Sequence, residues 1–130
     1  MFENLAIFQN AYAMARHAGA RQAVVAQNMA NADTPGYRAR DITPFTDVLA
    51  QDKPAFAPRS TREGHLLDPG SGTIAGARIA PVDAPTSPNG NSVSLEAETL
   101  RAVDVKRQHD RALAIYKSSL GILRSSLGKL

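Results

Sequence analysis

From about Asn4 to Asn31 and just beyond, Leu5, Phe8, Tyr12, Ala15, Ala18, Gln22, Val25, Met29 and Ala32 recur at three- and four-residue steps. This spacing predicts one stripe, mostly apolar, along a helix about 40 Å long at a rise of 1.5 Å per residue. The stripe is narrow, and nine alanines between Ala6 and Ala30 keep it slim. They favour helix and let a neighbouring helix come close. A second helix is predicted from Ser94 to Leu127, with Glu96 and Glu98 at its start and Lys117, Arg124 and Lys129 at its end, an order that suits the helix dipole. Its final turns carry Leu113, Tyr116, Leu120, Leu123, Leu127 and Leu130 at alternating steps of three and four, a seam of coiled-coil type. Upstream the seam continues weakly through Leu95, Ala102, Lys106 and His109, which predicts a wetter or different environment for the first half of that helix.

The stretch between the helices reads otherwise. Residues 43–92 hold seven of the eight prolines and five of the nine glycines, a density of breakers that leaves room only for short elements. Thr73-Ile74-Ala75 and Arg78-Ile79-Ala80 are candidate short strands. Ile42, Phe45, Val48 and Leu49 are candidates for one helical turn or for packing back on a neighbour. Asn89-Gly90 marks a turn. A segment of this length and composition is expected to be partly disordered alone, or ordered by partner subunits. The predicted fold is mainly α: an extended, antiparallel, coiled-coil-like hairpin of N- and C-terminal helices around a loop-rich middle with little β. Two helices bury little apolar surface against the entropy of ordering them, so further burial against neighbours is expected.

The first helix ends at one fixed place. Pro35 has no amide hydrogen and pushes Thr34 out of the helical region, while Gly36 can adopt a positive φ. Thr34-Pro35-Gly36-Tyr37 therefore predicts a tight turn that aims Tyr37 at whatever lies beside the helix end. The longer string from Val25 to Asp41, with Asn28, Ala30, Asn31 and then Thr34-Pro35-Gly36-Tyr37, closely resembles the N-terminal signature of the bacterial flagellar basal-body rod protein family. The chain also shares that family's order of helix, turn, variable middle and long C-terminal helix. Its short middle and its Asn89-Gly90-Asn91-Ser92-Val93 approach to the last helix are similar to the proximal rod members. Met29, Ser94 and Arg107-Gln108-His109 depart from the family's usual residues.

The resemblance implies a division into residues 1–37 (N-terminal helix and turn of a rod core domain), 38–92 (the Pro/Gly-rich middle) and 93–130 (the C-terminal helix of the core). It further implies a structural subunit that transmits torque in the basal-body rod. Partners would be copies of itself, other rod proteins, junction proteins of the MS ring and export gate at the rod base, and the flagellar type III export apparatus. Export would need no cleaved signal peptide. The assembly seam is expected at Leu5, Phe8, Tyr12, Val25 and Met29 on the first helix and at Leu113, Tyr116, Leu120, Leu123 and Leu127 on the second.

Composition narrows the chemistry. The absence of cysteine excludes disulfides and thiolate metal sites. His17, His65 and His109 lie far apart without ligand spacing, and each reads as an exposed or interface histidine. Gly70-Ser71-Gly72-Thr73-Ile74-Ala75-Gly76 fits neither a phosphate-binding loop nor the dinucleotide fingerprint and reads as a flexible hinge, while the serine pairs at 118–119 and 125–126 have no paired base. No cofactor, metal or catalytic residue is expected. The first twenty residues are interrupted by Glu3, Asn4, Gln9, Asn10, Arg16 and His17, unlike a secretory leader, and no run approaches a membrane span. The formal charge of +3 divides as +1 over residues 1–31, −1 over 32–92 and +3 over 93–130. A basic helix invites a nucleic-acid reading, but interspersed acids and few stacking aromatics favour a solvated face. A cytoplasmic secretion chaperone or adaptor is the other alternative.

Overall fold

The computed structural model describes the backbone of residues 2–51 and 77–128, and the side chains of residues 6–50 and 77–128. Helix α1 spans Phe2–Ala30 and helix α3 spans Leu95–Leu127, with strand β1 (Arg40–Ile42), helix α2 (Phe45–Gln51) and strand β2 (Ile79–Pro81) between them. At 29 and 33 residues the long helices extend about 43 and 50 Å at 1.5 Å per residue. The rings of Phe8 and Tyr116 meet edge to face at 5.2 Å, His17 reaches Gln108, and Asn28 reaches Glu98. As numbers rise along α1 they fall along α3, so the hairpin is antiparallel.

Small residues let the helices approach. Ala11, Ala18 and Val25 of α1 and Val105 and Ala112 of α3 are buried where the helices meet. A second, short layer lies against one side of α1. Strand β1 pairs antiparallel with β2, in register Arg40↔Pro81, Asp41↔Ala80 and Ile42↔Ile79. Ala39, Ile42, Phe45 and Val48 are buried in this layer. The Pro44 carbonyl accepts from the amides of Asp47 and Val48, which starts α2 beside a residue that has no N–H to satisfy.

The predicted helices, the Gly36 turn, a short strand at Ile79 and Ala80 and a helical turn at Phe45 are all observed. Thr73-Ile74-Ala75, the glycine run from Gly70 to Gly76 and His65 lie outside the described residues. Three expectations are corrected. His17 is not exposed but fully buried, because Phe45 packs on its ring at 5.4 Å and both ring nitrogens find partners. The first half of α3 is different but not the wetter half: it holds Glu98 and Val105, two of the helix's three buried residues, with Ala112 just past the midpoint, whereas Leu95 and Lys106 are exposed. On α1 the buried face is rotated from the predicted stripe, taking in His17, Val24 and Asn28 and leaving Tyr12, Gln22 and Met29 exposed. The layer of β1 and α2 covers that flank, which a single-stripe reading leaves out.

Candidate functional site

The signature residues gather where α1 ends and α3 begins, and they form a clasp. Tyr37 N–H donates to Thr34 O at 3.2 Å, and Gly36 has a φ of 73°, the pattern of a type II turn with proline at its second position. The facing loop also closes on a turn, Ser87-Pro88-Asn89-Gly90, but there the positive-φ glycine is the fourth residue rather than the third. Gly90 N–H donates to Ser87 O at 2.8 Å, and Gly90 has a φ of 81°. The two turns are stitched together by Gly36 N–H to Asn89 O at 3.0 Å and Ser92 N–H to Tyr37 O at 3.0 Å.

Two asparagines hold the clasp. Asn28 is fully buried. Its Nδ2 donates to Arg40 O at 2.6 Å and to Glu98 Oε2 at 3.1 Å, while its Oδ1 accepts from Tyr37 Oη at 3.2 Å and Arg40 N at 3.1 Å. Two donors and two lone pairs are a primary amide's full capacity, so one side chain joins helix α1, the turn, β1 and α3. Asn91 does the same for the helix end. Its Nδ2 lies 2.8–2.9 Å from the carbonyls of Asn31, Ala32 and Thr34 just past the end of α1, of which those of Asn31 and Thr34 also accept from the Thr34 and Tyr37 amides. Its Oδ1 accepts from Val93 N at 2.7 Å, and Ser92 Oγ accepts from Ala39 N at 2.9 Å. Ser94 then caps α3, accepting from Ala97 N.

Charges are buried here only in pairs. Glu98 is fully buried, between Asn28 and the guanidinium of Arg101, one helical turn along α3. Arg21 and Asp41 form a two-pronged bridge of 2.8 and 2.7 Å that ties α1 to β1 in the fork geometry arginine favours. The hydrogen bond and charge of Asp41 raise Arg21 above its ordinary value against the opposing effect of burial. Burial pushes the Asp41 carboxyl upward, but the hydrogen bonds and charge of Arg21 outweigh it and hold the group below its usual value. At His17, the Thr43 carbonyl 2.7 Å from Nε2 can only accept, so Nε2 carries the proton and Nδ1 accepts from Gln108 at 3.3 Å.

Of the turn residues singled out from sequence, Asn28, Asn31, Thr34, Gly36 and Tyr37 are brought together in this clasp. Pro35 and Ala30 are exposed beside it. The residues of the expected seam are spread along the hairpin. Val25 is buried; Phe8, Leu120 and Leu123 are half-buried; Tyr12, Met29, Leu113, Tyr116 and Leu127 are exposed. The side chain of Leu5 lies outside those described. Sequence reasoning missed the roles of Asn91, Glu98, Arg101, His17 and the Arg21–Asp41 pair. Only the Glu98–Arg101 spacing of three left a local signal.

Among the described residues no group of three or more His, Asp or Glu is placed to hold a metal ion, and no helix is long and apolar enough to cross a membrane. Residues 13–38, the stretch that includes the clasp turn, match the model of a family described as flagella basal body rod protein. A flagellar basal body rod protein FlgB of Agrobacterium fabrum (strain C58) is 34% identical over 118 residues, covering 86% of this chain and 85% of that protein. FlgB of Aeromonas hydrophila is 30% identical over 112 residues, covering 84% and 83%. FlgB of Salmonella typhimurium (strain LT2) is 31% identical over 114 residues, covering 77% of each.

Proposed function

The chain belongs to the flagellar basal body rod protein family and is FlgB-like, and from that premise we propose how it serves as a structural subunit of the proximal rod. Its terminal segments, residues 1–37 and 93–130, which contain α1 with its turn and α3, act as the rod core domain, with 38–92 as the segment between them. The clasp sets the angle and register at which the helices leave the turn. Neighbouring subunits, copies of this chain and other rod proteins, then cover the outer helix halves. Torque passes through these shared apolar contacts, from the membrane-embedded base toward the distal rod, without a chemical step.

One observation carries this reading. Beyond Ala11 on α1 and Ala112 on α3, no described side chain toward the open end of the hairpin is buried, yet Ile7, Leu113, Ile115, Tyr116, Ile122 and Leu127 sit there exposed. An apolar surface of that extent on a slender hairpin suits burial by partners. Export through the flagellar type III apparatus, without a cleaved leader, and contact with the junction proteins of the MS ring and export gate belong to the same proposal. Family membership favours it over the nucleic-acid and chaperone readings of the basic helix. Purified basal bodies test it: the protein should co-purify with the rod at a fixed ratio to its neighbours. Its retention in the cytoplasm of cells with complete rods would overturn the reading.

A further inference from the structure

The chain has one Asn-Gly step, Asn89-Gly90, and it lies in the loop that closes the clasp. Asn89 is exposed, and the glycine after it puts no side chain in the way of a ring closing between the Gly90 nitrogen and the Asn89 side-chain amide. The clasp sets up half of that reaction. Asn91 N–H donates to Asn89 Oδ1 at 3.0 Å, which draws electron density from Cγ and steadies the negative charge that grows on Oδ1 under attack. The other half is withheld, because the Gly90 N–H that must be lost is donated to Ser87 O at 2.8 Å. Asn91 has the same kind of activating contact, from Val93 N at 2.7 Å. It is buried, however, its Nδ2 is held by three carbonyls, and Ser92 follows it with a side chain.

We propose that Asn89 is a site of spontaneous deamidation and that the closed clasp gates it. When the loop opens, the Gly90 nitrogen gives its proton to hydroxide and bonds to Asn89 Cγ. The Cγ–Nδ2 bond breaks, and that nitrogen takes a proton from water and leaves as ammonia. Water then opens the succinimide at one of two C–N bonds, with no oxidation or reduction at any stage. Cleavage at Cγ gives aspartate on an unchanged backbone, whereas cleavage at the main-chain carbonyl carbon gives isoaspartate, whose chain runs on through Cβ and Cγ.

The two products act differently on the clasp. Aspartate keeps an oxygen for the Asn91 N–H and leaves the backbone in register. Isoaspartate lengthens the main chain by a carbon between residues 89 and 90, and it turns the Asn89 carbonyl, which accepts from Gly36 N–H at 3.0 Å, into a free carboxylate. The loop has no slack to absorb this. A β-carbon at Gly90 would already lie 3.2 Å from Gly36 Cα, and Ser87 N–H is tied to Asn91 O at 2.8 Å. The added carbon therefore moves Asn91 off the carbonyls of Asn31, Ala32 and Thr34 that it bridges, and the clasp cannot reclose in its original register.

Peptide mass spectrometry of the full-length chain, aged at mildly alkaline pH with and without unfolding urea, tests the proposal. In urea Asn89 should convert before any other asparagine. In the folded chain its conversion should be slower by about tenfold or more, since it waits on local opening, and Asn89→Gln should remove the early product. The isoaspartate fraction, separated from the aged chain, should melt at a lower temperature than the unmodified chain, while Asn89→Asp should melt close to it. Equal or faster conversion in the folded chain overturns the gating. Earlier conversion of another asparagine in urea overturns the site, and an isoaspartate chain that melts like the unmodified one overturns the effect on the clasp.

Discussion

A β-carbon added at Gly90 would lie 3.2 Å from the Cα of Gly36, and both glycines hold positive φ, at 81° and 73°. The two turns that close the hairpin therefore touch backbone to backbone. At Gly36 the corresponding position meets nothing within 4 Å. The two positions share one conformational demand but only one carries a steric demand as well.

This asymmetry predicts an order of effects. Gly36→Ala should cost on the order of 1 kcal/mol, from its positive φ. Gly90→Ala should cost more, because the neighbour it meets is backbone. Gly36→Val should be worse than Gly36→Ala, since a β-branched residue resists that region. Thermal melts of the three variants give the ranking. Equal shifts for Gly36→Ala and Gly90→Ala would remove the steric term from the account.

Asn28 offers a sharper chemical test. Asn28→Asp keeps the shape but replaces the two N–H donors with a carboxylate facing that of Glu98 and the Arg40 carbonyl. A buried, mispaired charge should cost on the order of 3–5 kcal/mol, against about 1–3 kcal/mol for Asn28→Ala, which only leaves partners unsatisfied. Urea unfolding midpoints decide between them. An Asp variant as stable as the Ala variant would mean that the site admits water.

The Arg21–Asp41 bridge makes stability depend on acid. Asp41 is lowered in the folded chain, so its contribution is fully present above the ordinary aspartate range of about 4 and is lost as pH falls through the depressed folded value. Arg21, raised above its ordinary value by Asp41, keeps its contribution throughout the acid and neutral range and loses it only at extreme alkalinity. Asp41→Asn should flatten the acid limb of an unfolding-midpoint profile measured from neutral to strongly acidic pH. An unchanged limb would assign acid sensitivity elsewhere.

In dilute solution the isolated chain should show less helix than α1 and α3 together provide. Toward the open end, beyond Ala11 and Ala112, no described side chain is buried, so the helix there must be stabilised by neighbours. Circular dichroism measures this. A cooperative melt from full helicity would describe a self-sufficient hairpin instead.

Leu120 and Leu123 are half-buried, whereas Ser118 and Ser125 are exposed. Replacing both leucines by Asp should stop rod growth and motility, because even partial burial of unpaired carboxylates at an apolar contact costs several kcal/mol. Ser118→Asp with Ser125→Asp should be milder. Electron microscopy of basal bodies from the two strains provides the comparison, and equal damage would move the contact to another face.

Features set by local chemistry are legible along the chain without its fold. Pro35 and Gly36 end α1 because one lacks an amide hydrogen and the other accepts a positive φ. Ser94 starts α3 because its hydroxyl meets a free amide. The three- and four-residue spacing marked both helices, and the Val25–Asp41 string identified the family. Tertiary structure alone decided which flank of α1 faces inward and what the polar residues there do. Glu98 could be read as a first-turn acid suited to the dipole, but its burial depends on Asn28, seventy positions earlier. His17 is buried because Phe45 and Thr43 return across it. Helical periodicity records one dominant stripe, whereas a second layer made of three-residue strands and a seven-residue helix is too short to leave a period of its own. The partners of a buried polar group are chosen by where the chain returns in space, and no local spacing encodes that return.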